Sequence, residues 1–425
     1  MIWLLVGYMW LYIHRPFEVW TILATLRIER VYMICTLIIW LTSTEKKFTS
    51  NLFNVAALLF IIALTLATLL SSYTNVIDNV AYQDFLKVAV FYLLVMTVVK
   101  TEKDLKIIVS AAVVCFFLYL AHSYREYLNG HRTYAAGAER MIGMGSSFSE
   151  FNDFGTWIVC MMPLTLPLVT LCKRMWHYLF IAGYILLSLR CVQLTGSRGA
   201  FIMVVALGVL PVIFSKYRMR LIPVILVLGP AGWFSMPESM QNRYRTIWDS
   251  SISEQANANA RGRTKGFYDG MKNWANSPLY GVGVGMHGPA LGQRFQAHNL
   301  EGQIAGETGT LGILAFLSIL ACFGINHWNV LQNYKRLQEW GRGKEGLYCY
   351  RVSTGVVWAV VMSLVQGLSL HNGYRFYWLW FGAFQSVAAM LIQEKVNAAR
   401  HLKAPPPAGS VAADNAAPLP KLWTG

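Results

Sequence analysis

His298 stands in the run Ala297-His298-Asn299-Leu300-Glu301, where a polar stretch ends and a long apolar one begins. Asn299, Glu301, Gln303 and Glu307 make the two turns after it unusually polar. Imidazole titrates near neutral pH and can take a proton from a hydroxyl within hydrogen-bond reach, so His298 is the strongest candidate for chemistry. A lone histidine is more often structural, and a metal ligand is a third reading. No His-Glu-x-x-His occurs, and His287 comes with no obvious third ligand. Glu150 and Asp153, at i and i+3, are the one close acidic pair on the expected outer side that could hold Mg or Mn. The expectation is a metal-independent site with no cofactor.

The polar stretch, residues 237 to 302, also carries Arg243, Arg245, Arg261, Arg263, Lys265 and Lys272. It is the only long polar excursion inside the chain, so the chemistry is expected there. A shorter polar break, Gln193-Leu194-Thr195-Gly196-Ser197-Arg198-Gly199-Ala200, adds Arg198, and Arg190 two turns earlier extends the same patch. Residues 123 to 150 contribute Arg125, Arg132 and Arg140. Guanidinium is a planar fork that meets phosphate or carboxylate with two parallel hydrogen bonds, whereas lysine is a point charge. Arginines gathered this way suggest an anionic, phosphate-bearing ligand. For any single one, contact with lipid headgroups or with Glu126, Glu139 or Glu150 is the plainer alternative. The run Gly281-Val282-Gly283-Val284-Gly285 has the look of a dinucleotide fingerprint but lacks the strand-turn-helix context. A backbone that bends sharply or approaches another segment closely explains those glycines equally well.

The elements that must position these residues are membrane spans. The chain is 55% hydrophobic and only 13% charged, and a bilayer crossing needs about 20 apolar residues. Spans are expected near 1–13, 28–42, 52–71, 85–99, 106–122, 151–172, 176–194, 198–214, 220–236, 303–325, 350–370 and 374–393, about twelve in all. Lysine and arginine concentrate in the loops after even-numbered spans, which by the positive-inside rule puts those loops and both termini in the cytoplasm. The 237–302 loop then faces the periplasm of a bacterial inner membrane. The expected division is 1–236 (nine spans), 237–302 (periplasmic catalytic loop), 303–393 (three spans) and 394–425, an Ala-Pro-rich disordered cytoplasmic tail. Much of the net charge of +15 is therefore topological and implies no nucleic acid. The seven cysteines lie in or beside apolar spans without paired spacing, as small core residues rather than a disulfide or zinc framework. The N-terminus lacks a basic n-region and an Ala-x-Ala cleavage site, so its apolar start is expected to be a retained span.

Taken in order, Ser197-Arg198-Gly199, a large late loop with Arg261 and Arg263, then Pro278-Leu279-Tyr280-Gly281-Val282-Gly283, then Ala297-His298-Asn299 followed by Gly306-Glu307-Thr308-Gly309-Thr310-Leu311-Gly312 resemble the O-antigen ligase and O-antigen polymerase superfamily, which includes protein O-oligosaccharyltransferases. The resemblance spans roughly residues 140 to 325. It implies an all-α integral membrane protein of glycosyltransferase C-like fold. It also implies metal-independent, inverting transfer of a glycan from undecaprenyl pyrophosphate to a hydroxyl acceptor. His298 matches the family's loop histidine, and Arg198 and Arg261 match its arginines, with Arg263 a near neighbour. Asn299, Glu301, Tyr280, Trp274 and Arg140 are candidates for glycan or acceptor contact or for support. One dominant outer loop favours ligation to lipid A-core. A protein acceptor or a growing glycan (polymerase) are the alternatives, and a lipid-linked glycan transporter is a fourth reading that the sparse charge of the deep interior disfavours.

Overall fold

The computed structural model describes residues 1–44, 46–135, 137–145, 148–214, 218–249, 254–293 and 296–403, and the protein so described is almost wholly helical. From the N-terminus run α1 (Ile2–His14), the short α2 (Pro16–Val19) and α3 (Thr21–Thr25), then α4 (Ile28–Thr42), α5 (Leu52–Leu69), α6 (Val80–Val98) and α7 (Glu102–Leu128). A hairpin of β1 (Arg132–Ala135) and β2 (Ala138–Met141) follows, pairing antiparallel with Arg132 opposite Met141. Next come α8 (Phe151–Met161), which winds on through 3-10 turns and α9 (Thr165–Leu168), α10 (Met175–Thr195), α11 (Arg198–Phe214) and α12 (Arg218–Phe234). The chain ends in α13 (Glu238–Arg245), α14 (Glu254–Asn276), α15 (Leu300–Glu339), α16 (Gly343–Gly367) and α17 (Tyr377–Lys403).

Helical segments overlap the twelve expected spans, and length and composition support a crossing at seven of them. Seven segments are long and apolar enough to cross a membrane: Leu52–Leu69, Val80–Val98, Glu102–Leu128, Phe151–Leu171, Met175–Thr195, Leu300–Glu339 and Gly343–Gly367. Arg198–Val209 and Ile222–Phe234 are shorter apolar helices. The protein is thus a multi-pass membrane protein. Two expected boundaries are corrected. The chain between 237 and 302 is not simply a loop, because α13 and α14 occupy much of it. The all-α expectation holds, with the short β1–β2 hairpin as its one departure among the described residues. The last helix runs to Lys403, past the expected start of the tail at 394, and the Ala-Pro stretch from 404 lies outside the described residues.

Helix starts follow local chemistry. Thr101 and Asp104 form a reciprocal capping box at α7, Asn79 caps α6 and Asn51 caps α5. The core is aromatic and centred on α17, whose Trp378, Trp380, Phe381 and Phe384 are fully buried. Phe316 on α15 meets Trp378 edge-on at 5.0 Å, and Trp157 on α8 stacks on Phe376 at 3.6 Å. The outward faces of α5, α10 and α12 expose Leu58, Leu59, Leu179, Leu226 and Val227, as expected of surfaces meeting acyl chains.

The connections after α1, α5, α7, α10, α12 and α16 gather at one end of the bundle. Glu18 approaches Gly145, Ser71 donates to the carbonyl of Val282 at 2.6 Å, Arg140 donates to that of Thr195 at 2.6 Å, and Gly373 N–H reaches Gln303 at 2.9 Å. Those are the loops after odd-numbered spans, so one end of the bundle collects the segments that carry the candidate residues.

Candidate functional site

The platform of the site is α14 laid against the first turns of α15. Glycines on both sides let the backbones touch: a Cβ added at Gly270 would lie 2.4 Å from the carbonyl oxygen of Gly302, and one at Gly266 would overlap the carbonyl of Ala297. Small residues four apart on each helix, Gly266 and Gly270 against Gly302 and Gly306, are the device by which helices approach closely in membranes. Asn299 locks the junction. Its Oδ1 accepts from Gly302 N–H at 2.6 Å as the α15 cap, while its Nδ2 donates to the carbonyl of Arg263 on α14 at 3.0 Å. Asn299 therefore supports the site from below. His298, immediately before it, holds a left-handed backbone with φ 52.

Further along, α15 is broken at Gly309, with φ 64 and ψ −162. A broken helix leaves carbonyls and N–H groups unpaired, which is costly in an apolar setting. The segment after α14 supplies the missing partners. Val282 N–H donates to Gly306 and Gly283 N–H to Glu307, both at 3.0 Å, while Thr310 and Leu311 donate to Pro278 and Leu279 at 2.8 and 3.1 Å. The buried Glu307 carboxylate also accepts from Gly285 N–H at 2.8 Å. Positive φ at Gly281, Gly283 and Gly285 makes this docking possible, and a Cβ at Gly281 would strike the α15 backbone at 2.4 Å. The glycine run is thus a tongue seated in a helix break, not a nucleotide cradle.

Arginines converge on the turn between α10 and α11. Arg140, on β2, is fully buried, donates to Thr195 at 2.6 Å and to Asn152 at 3.2 Å, and lies over the Phe151 ring at 3.2 Å. Arg243 on α13 donates to the carbonyl of Gly196 at 2.6 Å, and the neighbouring Tyr244 hydroxyl to that of Val192 at 3.1 Å. Arg198 reaches Thr246 at 3.2 Å. Burial, then mutual repulsion, pushes the pKa of these groups down: Arg140 feels Arg243 and Arg198, Arg243 feels Arg198 and Arg263, and Arg263 feels Arg198. Guanidinium stays charged in proteins, so the cluster keeps its positive charge in a setting that partly withholds water. Among the described residues Arg140, Arg198 and Arg263 have no carboxylate within ion-pair distance, and Glu150 is the acidic group felt by Arg140 and His298.

His298 faces the same cluster. It keeps an exposed edge, yet the protein around it withdraws enough water that burial lowers its pKa; Glu150 works against this and Arg263 adds to it. The base form is therefore the one present at neutral pH. His371, in the connection after α16, meets the His298 ring at 5.6 Å and 70°.

Of the residues singled out from sequence, His298 lies within electrostatic reach of Arg263, Arg263 of Arg198, and Arg198 of Arg140. Arg190 does not join them: it donates to Gln193 and to the carbonyl of Ser235, both at 3.3 Å, bracing the end of α12. Arg261 lies on α14, and its side chain is outside the described residues. Glu301 is exposed, and Trp274 donates from Nε1 to Thr310 at 3.1 Å beside the helix break. Tyr280 sits half-buried in the tongue. The acidic pair is otherwise engaged, since Glu150 caps α8 by accepting from Asp153 N–H at 2.6 Å and Asp153 pairs with Arg375. Among the described residues no three His, Cys, Asp or Glu side chains converge as metal ligands. Sequence reading left out Arg243 as a site residue, and His371 and Arg375 altogether; each lies far along the chain from its partners, and no local pattern marks it.

Compared with known proteins, residues 183–317 match the family model described as O-antigen ligase. That stretch holds Arg198, Arg243, Arg263 and His298. No curated protein matches the chain.

Proposed function

From the match of residues 183–317 to the O-antigen ligase family we propose that the chain is of the O-antigen ligase-like superfamily and joins a glycan, carried on undecaprenyl pyrophosphate, to a sugar hydroxyl of lipid A-core at the periplasmic face of the bacterial inner membrane. The observation that supports this reading is that Arg263 and Glu150 act on His298, while Arg263 belongs to a mutually repelling set with Arg198, Arg243 and Arg140. Such a site suits a pyrophosphate that must leave and a hydroxyl that must attack.

The acceptor oxygen bonds to the anomeric carbon from the face opposite the phosphate, while the bond to the pyrophosphate oxygen breaks and that oxygen keeps the electron pair. The acceptor proton passes to the neutral imidazole of His298, help that contributes about 10² to 10⁴ in rate. Arginine forks stabilise the charge growing on the leaving pyrophosphate, and each lost donor of this kind costs roughly 2.7 to 4 kcal/mol. The phosphate ester is already activated, so no nucleotide is consumed. Trp274, Tyr280 and the exposed Tyr268 offer faces on which sugar rings can stack.

The test is reconstitution. The purified protein in EDTA receives undecaprenyl-pyrophosphate glycan with lipid A-core, with a hydroxyl-bearing acceptor protein, or alone. Glycan on lipid A-core, absent with His298→Ala, is the expected product. Glycan on protein, or longer lipid-linked chains with no acceptor added, would replace ligation by protein glycosylation or polymerisation, and Arg140 on its own loop makes the polymerase the stronger of those two. No transfer in any arm would overturn the enzyme reading.

A further inference from the structure

His298 needs more than a backbone position to act as a base, because an imidazole free to turn about its two side-chain bonds presents its nitrogen to the acceptor only part of the time. The wall that restricts it comes from the connection between α16 and α17. His371 packs edge-to-face on the His298 ring, with centroids 5.6 Å apart and planes at 70°. The connection bearing His371 is itself rigidly tied. Asn372 donates to the carbonyl of Ser363 at 2.9 Å, Trp378 donates to that of Asn372 at 2.8 Å, Gly373 N–H donates to Gln303 on α15, and Arg375 pairs with the buried Asp153 on α8. The His371 Nδ1 is buried with no hydrogen-bond partner among the described residues. That nitrogen makes no protein hydrogen bond, and the contact the structure shows between the two residues is ring against ring.

We infer that His371 is a positioning residue: its ring forms the fixed wall that sets the plane of the His298 imidazole and shields it from water. This rests on the reading of His298 as the base. The groups facing the pair are Glu150 and Arg263 on the His298 side and Arg375 and His287 on the His371 side; burial first, and then Arg375, keep His371 neutral, so it adds no charge of its own.

The experiment measures donor KM, kcat and the acid limb of kcat/KM for His371→Ala and His371→Phe in the full-length protein. Removing the ring should lower kcat by about a hundredfold, the scale of a misplacement near 1 Å, with donor KM unchanged. It should also move the acid limb to higher pH, because His298 regains water and its pKa rises toward its ordinary value. Phenylalanine keeps a ring without nitrogens and should hold kcat within about threefold of wild type and leave the limb in place, the behaviour expected of a packing contact. Should His371→Ala leave both kcat and the limb untouched, or should His371→Phe be as slow as His371→Ala, the inference is wrong. His298→Ala at full activity would instead remove the base assignment on which it stands, so the two failures are distinguishable.

Discussion

A histidine in a left-handed backbone, proposed to act as a base, calls for its own kind of test. At φ 52 a residue with a Cβ carries strain of roughly 1–2 kcal/mol, a cost histidine already bears, and asparagine is among the residues that tolerate this region best and has no titrating nitrogen. His298→Asn should therefore keep the thermal unfolding temperature while losing about 10² to 10⁴ in kcat; comparable losses in both would make His298 structural. The pH profile follows from the direction of its shift. Burial lowers the imidazole pKa from 6.5, and a base works when neutral, so kcat/KM should climb to its plateau below pH 6.5 and stay flat through neutrality. An acid limb centred above pH 6.5 would contradict this. For Arg198, lysine preserves the charge but not the fork, and Arg198→Lys should cost on the order of 10² in kcat/KM, the scale of a lost electrostatic donor. Activity equal to wild type would reduce Arg198 to a membrane-interface anchor.

Between residues and molecule stand α14 and α15, whose contact is glycine against glycine. A Cβ at Gly270 lands 2.4 Å from the carbonyl oxygen of Gly302, and backbone cannot yield as a flexible side chain does. Gly270→Ala should therefore lower the unfolding temperature, with an overpacking cost of about 1–3 kcal/mol, and lower activity together with it. Loss of activity without loss of stability would mean that α14 contributes contacts rather than a platform. The apolar helices were legible in the sequence because a crossing needs only length and apolar composition. The helix α14 was not, since Asn259, Arg261, Gly262 and Arg263 read as loop, and its seat on α15 depends on glycines more than 30 residues apart along the chain. The hairpin escaped for a similar reason: its strands alternate poorly between polar and apolar, and Arg140 ties it to the carbonyl of Thr195, 55 residues further along the chain.

On the scale of the whole molecule, loops from six separate connections meet at one end of the bundle. His298 and Arg198 could be named from sequence because short motifs surround them. Arg243 and His371 could not, because what brings them near the others is the order of helices across the bundle. If that end faces the periplasm, Tyr268→Cys should react with a membrane-impermeant thiol reagent added to spheroplasts, and Lys103→Cys only after permeabilisation. Both residues are exposed, and the variants belong in a background without Cys35 and Cys172, the two native cysteines that are not buried. Labelling of the opposite position would invert the topology and remove the periplasmic assignment.

The tongue in the α15 break makes the spacing of the chain a requirement in its own right. Donors at 282 and 283 and acceptors at 278 and 279 meet groups at 306, 307, 310 and 311 in one alignment, while Ser71 and Asn79 grip the carbonyls of Val282 and Val284 from the other side. Inserting or deleting a single residue between Ser277 and His287 would slide every one of these pairs out of step at once, whatever the residue inserted. Length variation should therefore be absorbed on the far side of His287, toward residue 296, so that the segment leading into His298 is free to lengthen while the tongue keeps its count.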